Sequence, residues 1–283
     1  MNNLSNIKTI KELLARHNFH FSKSMGQNFL INPSVCPKMA EYSILSKETT
    51  GVIEIGPGIG VLTCELAARA EKVVAIELDK MLLPVLDETL AAFDNIKIIN
   101  SDVLKIDLAK LIKDEFDGLD VVVCANLPYY ITSPVIMSLL ESKLPIKSIT
   151  VMVQKEAADR LCAKVGTRLS GAITVSVNYY AESEILFDVS KGSFMPSPNV
   201  DSSVIKLTVR EKPSIAVSNE ALLFKIIKAS FGMRRKTIHN AISAGMGVSK
   251  DSLLEILNKA NVSPTLRAEQ LSMNDFEAIT NCF

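Results

Sequence analysis

The segment NLPY (126–129) combines side chains that could hold an amine beside a flat ring. The side-chain oxygen of Asn126 and the carbonyl of Leu127 could accept the two hydrogens of an exocyclic amine, which would help its nitrogen become tetrahedral. Pro128 has no N–H and a fixed φ, so it keeps that carbonyl out of a helix. Tyr129 could stack on a base, a contact worth about 1–3 kcal/mol. The segment therefore predicts methyl transfer to the exocyclic amine of adenine, achieved by positioning and electrostatics without a general base.

Two other interpretations fit parts of this region. An ordinary strand-to-helix turn would also use these residues, because Ser133 and Pro134 suit the start of a helix. Methylation of cytosine at carbon 5 would need a cysteine nucleophile in the site. Cys124 is expected to point inward from a strand, and Cys36 lies in a segment remote from the motif. Neither cysteine is placed for attack, so adenine chemistry is preferred.

A glycine-rich segment, EIGPGIG (54–60), follows the first apolar run and indicates a cofactor loop. Its glycines allow sharp turns and the close approach of a ligand. Glu77 ends the next apolar run, where an acid can accept both hydroxyls of a ribose. Asp102 follows the third run, where it can accept a hydrogen bond from an adenine amine. Together these positions predict an adenosine-containing cofactor.

The loop spacing separates two such cofactors. It is G-x-G-x-G rather than the G-x-G-x-x-G of dinucleotide-binding loops. Glu54 lies two residues before Gly56, and a pyrophosphate prefers a helix start free of carboxylates. S-adenosylmethionine carries an ammonium and a sulfonium, so it suits an acidic loop better. The sequence therefore predicts S-adenosylmethionine bound by Glu54, Gly56, Gly58, Glu77 and Asp102, and it disfavours a nicotinamide oxidoreductase.

The elements that must position these residues alternate along the chain. Short, β-branched apolar runs at 51–55, 72–77, 96–100, 119–126 and 148–154 are separated by amphipathic segments. Continuous rather than alternating runs are typical of strands buried on both faces of a parallel sheet. The βαβ series predicts a doubly wound α/β fold. The stretch LSGAITVSVNYYAES favours a crossover helix, followed by strands at 184–189 and 200–210, and the long loop between these strands is typical of a functional segment.

After Pro213 the pattern is helical in period, with no strand among the segments. We therefore predict a methyltransferase domain with an N-terminal extension at 1–213 and a small all-helical domain at 214–283. Lys and Arg together number 31, as do Asp and Glu, so nucleic acid would bind only through a local basic patch. A metal site is not expected, and the lack of a signal peptide or of an apolar run of roughly 20 residues favours the cytoplasm.

Eight segments carry a specific resemblance that covers nearly the whole chain. They are GQNFL (26–30), EIGPGIGVLT (54–63), AIELD (75–79), SDVLKID (101–107), NLPYYITSPV (126–135), VQKEAADRL (153–161), FMPSPNVDSSV (194–204) and FGMRRKTIHN (231–240). In these segments the chain resembles the ribosomal RNA adenine N6-dimethyltransferases. It is most similar to their bacterial small-subunit (16S) branch.

The resemblance implies a Rossmann-like, seven-stranded methyltransferase sheet and a helical C-terminal domain. It implies N6,N6-dimethylation of two adjacent adenosines in the 3′-terminal hairpin of 16S ribosomal RNA, within the immature small subunit and by a monomer. It adds Asn28, Leu30, Val103 and Asn126 to the cofactor pocket. It also places Phe194 across the target base from Tyr129, which completes a catalytic set of Asn126, Leu127, Pro128, Tyr129 and Phe194.

Basic residues supply candidate contacts to RNA phosphates. Arg234, Arg235 and Lys236 form a cluster at the start of a C-terminal helix, and Lys155 and Arg160 border the expected site. Two relatives of the family remain alternatives: a large-subunit (23S) adenine methyltransferase, and a non-catalytic nucleic-acid-binding protein. Intact Glu77, Asp102, Asn126 and Tyr129 argue against the second alternative.

Overall fold

The computed structural model describes residues 4–19 and 28–283. The strands are β1 (Phe29–Leu30), β2 (Thr50–Ile55), β3 (Lys72–Glu77), β4 (Ile96–Asn100), β5 (Asp120–Asn126), β6 (Ile146–Gln154), β7 (Ala181–Val189), β8 (Phe194–Met195) and β9 (Ser202–Val209). The helices are α1 (Ile7–Arg16), α2 (Val35–Ser43), α3 (Val61–Ala67), α4 (Leu83–Thr89), α5 (Leu108–Glu115), α6 (Thr132–Glu141), α7 (Lys155–Leu161), α8 (Ala172–Tyr180), α9 (Glu220–Gly232), α10 (Ile238–Met246), α11 (Lys250–Lys259) and α12 (Met273–Cys282).

One large sheet contains seven of these strands in the order β4-β3-β2-β5-β6-β9-β7. The pairs β2/β3, β3/β4, β2/β5 and β5/β6 are parallel, and β6/β9 is antiparallel. The predicted sheet and its parallel runs are confirmed. Because β2 has β3 on one side and β5 on the other, the strand order reverses at β2, and the carboxyl ends of these strands border the crevice where α/β sheets bind ligands.

Burial explains why the central runs are continuous rather than alternating. Every residue of β2 is buried, and so are the five central residues of β5. On one face, Met39 of α2 and Leu66 of α3 are fully buried in a cluster with Val52 and Val122 of the strands. The edge strand β4 has only partly buried or exposed residues. The core therefore packs against the strands where the strand order reverses, and it fixes the strand ends that carry the candidate site.

A short two-stranded sheet ties the N-terminal segment to the loop between β7 and β9. Its strands β1 and β8 are antiparallel, with Phe29 opposite Met195 and Leu30 opposite Phe194. The Ile31 N–H also donates to the Ser193 carbonyl at 2.8 Å. The loop that the sequence marked as functional is thus held by a segment far away in the chain. Residues 26 and 27 of the N-terminal motif lie outside the described residues.

By its internal contacts the chain divides into two compact units. One contains residues up to Ala158 together with Glu184–Val209, and the other contains Asp159–Ser183 with Arg210–Phe283. The predicted crossover helix is confirmed as α8, where tertiary burial outweighs the β preference of its Val, Ile and Thr residues. Residues 214–283 contain helices α9–α12 and no strand, as expected. The domain boundary at 213/214 remains a prediction. Within the described residues, no helix combines the length and apolar character needed to cross a bilayer.

Candidate active site

A cavity at the carboxyl ends of β2, β3, β4 and β5 brings together every residue that the sequence assigned to catalysis or cofactor binding. Those residues are Asn28, Leu30, Glu54, Gly56, Gly58, Glu77, Asp102, Val103, Asn126, Leu127, Pro128, Tyr129 and Phe194. The cavity lies within the first unit. Their placement around one space is as expected from the sequence, whereas their individual roles remain predictions.

The glycine loop crosses the floor of this cavity in a backbone shape that only glycine adopts easily. Gly56 and Gly58 have φ values of 71° and 60°, in the left-handed region that side chains disfavour. A Cβ on Gly58 would also lie 3.3 Å from the Phe29 ring. The Gly56 N–H donates to the Ile76 carbonyl at 3.0 Å, which anchors the loop to β3. The loop therefore leaves its cavity side open to a ligand.

Glu77 ends β3 and points its carboxyl group into the loop. Its oxygens accept hydrogen bonds from the Asp79 N–H at 2.7 Å and the Gly58 N–H at 3.4 Å. The side chain is buried, and burial raises its pKa, whereas these two hydrogen bonds lower it. The two N–H groups fix the carboxyl group in place. This arrangement gives the cavity a rigid acceptor where the sequence predicted a ribose contact.

Glu54 is the most unusual group in the cavity because it is a deeply buried acid with one unpartnered carboxylate oxygen. It is only 1% exposed, and its Oε2 has no hydrogen-bond partner among the described residues. Burial, with a smaller contribution from the nearby Glu77 carboxyl group, raises its pKa to about 8. A buried polar atom without a partner is costly unless a ligand satisfies it. The orphaned oxygen therefore fits a ligand that brings a cation or a hydrogen-bond donor.

Asp102 follows β4 and stays partly exposed on the same rim of the cavity. Its Oδ1 accepts a hydrogen bond from the Leu104 N–H at 3.0 Å, and its Oδ2 lies 3.4 Å from the Lys105 ammonium. These contacts hold the carboxylate at the end of its strand. Glu54, Glu77 and Asp102 thus bring acidic groups from three neighbouring strands to one cavity.

The NLPY segment leaves β5 and turns before α6. The Ile131 N–H donates to the Pro128 carbonyl at 3.1 Å, which closes the turn. Helix α6 then begins at Thr132, so Ser133 lies inside its first turn and is not the cap that the turn interpretation assumed. Leu127 is buried, and Asn126 and Tyr129 are partly buried. Asn126, Tyr129 and Phe194 all line the cavity, so an amine acceptor and two aromatic rings share one space.

Cys36 is a site residue that the sequence analysis missed. We expected it to be remote from the motif, but it lines the same cavity. Helix α2 carries it there through tertiary packing, for which no local spacing gives a signal. Burial raises the pKa of its thiol well above the ordinary value. Since the thiolate is the nucleophile, this protonated thiol does not support attack on a cytosine ring.

Cys124 points inward, as expected, and it is fully buried. Burial raises the pKa of its thiol to about 12. The Ser43 hydroxyl donates to its sulfur at 3.2 Å, which gives the thiol a structural partner within the core. Neither cysteine considered for cytosine chemistry is therefore activated.

The predicted RNA-binding residues are all exposed. Lys155 begins α7, and its ammonium lies 2.5 Å from the Asp188 carboxylate. Arg160, also on α7, belongs to the second unit. Arg234, Arg235 and Lys236 lie in the turn between α9 and α10 rather than at the start of a helix, which corrects the sequence interpretation. We call these three residues the basic turn.

Comparison with known proteins links this geometry to a family. The family model described as "Ribosomal RNA adenine dimethylase" matches residues 18–281. The chain is 46% identical to the "Ribosomal RNA small subunit methyltransferase A" of Geobacillus sp. (strain WCH70), covering 96% of this chain and 94% of that protein. It is also 46% identical to the protein of the same name from Clostridioides difficile (strain 630), covering 99% of this chain and 97% of that protein.

Two solved structures share the fold. The crystal structure of a dimethyladenosine transferase from Plasmodium falciparum matches with a TM-score of 0.73 and 26% identity, covering 89% of this chain and 95% of that one. The 23S rRNA methyltransferase ErmE matches with a TM-score of 0.69 and 24% identity, covering 90% and 98%. The second likeness concerns the fold alone.

Proposed function

The chain belongs to the ribosomal RNA adenine dimethylase family, and from this premise we propose that it dimethylates two adjacent adenosines in the 3′-terminal hairpin of 16S ribosomal RNA. It is a ribosomal RNA adenine dimethyltransferase that uses S-adenosylmethionine. The name that its bacterial relatives carry, small subunit methyltransferase A, supports the choice of subunit. The single observation that carries the proposal is the cavity in which Glu54, Glu77 and Asp102 meet the NLPY segment.

The residues of the cavity fit this cofactor, whose contribution is an electrophilic methyl group. We assign Glu77 to the ribose hydroxyls and Asp102 to the adenine amine. Asn28, Leu30, Gly56, Gly58 and Val103 shape the walls around them. We assign the unpartnered Oε2 of Glu54 to an electrostatic contact with the positive charge of the cofactor. Among the described residues that line the cavity, no other acid is as deeply buried and has an unpartnered carboxylate oxygen.

The remaining residues act on the adenine. Tyr129 and Phe194 stack on the two faces of the base and offset part of the few kcal/mol that base flipping costs. Asn126 and the Leu127 carbonyl accept the amine hydrogens, and these bonds strengthen as the nitrogen becomes tetrahedral. After the first transfer the nitrogen carries one hydrogen and one methyl group. One acceptor then binds the remaining hydrogen, and the methyl group lies beside the other acceptor.

The titration of Glu54 gives a testable pH dependence. A cationic ligand prefers the carboxylate, and in the free protein Glu54 has a pKa of about 8. We therefore expect cofactor affinity to rise with pH up to about 8 and to fall by up to about tenfold per pH unit below it. Calorimetry at several pH values, in buffers of different ionisation enthalpy, would detect the proton released on binding.

Glu54→Gln is the matched control for this dependence. It keeps the size of the side chain and removes the titration, so its affinity should be weak and nearly flat with pH. Equal affinity of the natural protein at pH 6 and pH 8.5, with no proton released, would show that Glu54 does not meet the cation.

The basic turn is proposed to bind RNA and not cofactor. Replacing its three residues by alanine should weaken RNA binding and reduce the log–log salt slope by about 0.9 or less for each phosphate that the protein no longer neutralises. A variant with Lys225, Lys228 and Lys259 replaced removes the same charge from exposed positions on α9 and α11. If both triple variants keep the original slope, or reduce it equally, the basic turn has no specific role.

The choice of substrate is tested directly with labelled cofactor. Tritiated S-adenosylmethionine is supplied with immature small subunits in one reaction and with large-subunit RNA in another, and the label is then mapped. We expect labelling of the small-subunit RNA near its 3′ end. Labelling of large-subunit RNA alone would favour the 23S alternative, and no labelling of either would favour a non-catalytic relative.

We also propose where and in what form the protein acts. The substrate is the assembling small subunit, and Lys155 and Arg160 supply contacts to its RNA in addition to those of the basic turn. The protein acts as a monomer in the cytoplasm. The relatives' shared name supports the choice of substrate, and the described lining of the candidate site, which lies entirely within the first unit, is consistent with a monomer.

A further inference from the structure

The Tyr129 ring is held at its far end by a hydroxyl that does not line the cavity. The Oη of Tyr129 and the Oγ of Ser202 lie 2.7 Å apart, so the two hydroxyls share a hydrogen bond. Burial raises the pKa of the Tyr129 phenol, which keeps it protonated across the neutral range. Stacking on a base needs only the ring face. The hydroxyl is therefore not needed for the stacking contact, and its hydrogen bond instead restricts the orientation of the ring.

Ser202 is a rigid partner for this bond. It is fully buried, and it is the first residue of β9. In the antiparallel pair β6/β9 it lies opposite Gln154, the last residue of β6. The backbone of Ser202 is thus held by the sheet and its side chain is buried, whereas Tyr129 lies in the turn between β5 and α6. The bond therefore connects a turn residue to a buried residue of the large sheet.

We propose that Ser202 is a positioning residue, whose hydroxyl holds the Tyr129 ring in the orientation that stacks on the target adenine. The inference rests on the proposed function, since it assumes that a base enters the cavity. A partly buried tyrosine side chain retains freedom about two bonds, and fixing it in advance removes an entropic cost from base capture. Ser202 does not line the cavity, so it acts only through Tyr129.

The opposite wall of the base site has its own anchor. Phe194 is buried in β8 and pairs with Leu30 of β1. Phe194 and Ser202 thus lie in the two strands that the loop 196–201 connects, one in the small sheet and the other in the large sheet. Two rings that must face each other across a base are therefore placed by separate, rigid supports.

A double-mutant cycle tests this inference. Ser202→Ala and Tyr129→Phe each remove one side of the bond, and the double variant removes both. Ser203→Ala is the matched control, because Ser203 is the next residue of β9, is equally buried, and donates to the Asp188 carboxylate at 2.7 Å instead. Ser202→Thr keeps a hydroxyl at the same position. Steady-state methylation at saturating cofactor, cofactor affinity and melting temperature are measured for each variant.

Loss of one hydrogen bond in a buried site should lower kcat/KM for RNA about three- to tenfold, mainly through KM. We expect this loss for Ser202→Ala and for Tyr129→Phe, and no further loss in the double variant. Ser203→Ala should retain natural kinetics, Ser202→Thr should recover most of the activity, and cofactor affinity should be unchanged throughout. Tyr129→Phe leaves β9 untouched, so it reports on the bond even if Ser202→Ala loosens the strand.

Additive losses in the cycle, or equal losses for Ser202→Ala and Ser203→Ala, would overturn the inference while leaving the proposed function intact. Failure of the natural protein to methylate adenine N6 would overturn the proposed function and this inference with it.

Discussion

Replacing Asn126 by alanine should lower the rate of methyl transfer by about a hundred- to a thousandfold, the loss typical of removing one donor or acceptor aimed at the transition state. The adenine amine is a poor nucleophile because its lone pair is delocalised into the ring. Asn126 lines the cavity at the end of β5, where its side-chain oxygen can hold an amine hydrogen as the nitrogen becomes tetrahedral. The interaction strengthens during the reaction, so the loss should fall on kcat rather than on KM.

Single-turnover rates at saturating RNA and cofactor would measure this effect, with calorimetry to check cofactor affinity. Asn126→Asp retains an acceptor oxygen and should lose less than Asn126→Ala. If the alanine variant changed only KM, or lost only cofactor binding, Asn126 would be a binding residue and the mechanism described above would be wrong.

Replacing Glu77 by alanine should have the second large effect, this time on cofactor affinity. Hydrogen bonds to a charged group are worth about 1.5–3 kcal/mol each, so removing a ribose partner should weaken binding by about ten- to a hundredfold or more. Because Glu77 also accepts the Gly58 and Asp79 N–H groups, its removal frees the loop in addition to deleting the ribose acceptor.

Two further variants separate those contributions. Glu77→Gln keeps the size and one acceptor oxygen, so it should hold the loop better and lose less affinity. Glu184→Ala removes an exposed acid of β7 that does not line the cavity, and it should bind cofactor normally. Unchanged affinity in Glu77→Ala, or tighter binding of NAD than of S-adenosylmethionine, would remove the basis for the cofactor assignment.

Local patterns were sufficient to predict the central sheet and the residues at its edge. Continuous apolar runs correctly marked β2 to β6. In β2 and β5 burial on both faces leaves no polar alternation, whereas the edge strand β4 has a continuous run but is only partly buried. Glu77 and Asp102 follow directly from those strands, since the carboxyl ends of parallel strands meet at one edge. Glu54 could also be identified from the sequence. The lack of a hydrogen-bond partner for its Oε2 depends on tertiary packing and could not be predicted.

Contacts between distant segments were not predictable from local patterns. Phe194 reaches the cavity through the pairing of β1 with β8, and only the family resemblance placed it there. Cys36 arrives on α2 and was expected elsewhere. The Ser202–Tyr129 bond joins residues 73 positions apart, and a serine at a strand start has no distinctive local signal. In each case the contact depends on how one element packs against another, which local sequence patterns do not indicate.

The nucleoside product tests the central claim most directly. The natural protein would be incubated with S-adenosylmethionine and immature small subunits, and the ribosomal RNA would be digested and analysed by mass spectrometry. We expect two methyl groups on one exocyclic nitrogen, N6,N6-dimethyladenosine, at two adjacent positions of the 3′-terminal hairpin. Methyl groups on a ring carbon, on a ribose oxygen or on cytosine would contradict the assignment of Asn126, Leu127 and Tyr129 to the adenine amine.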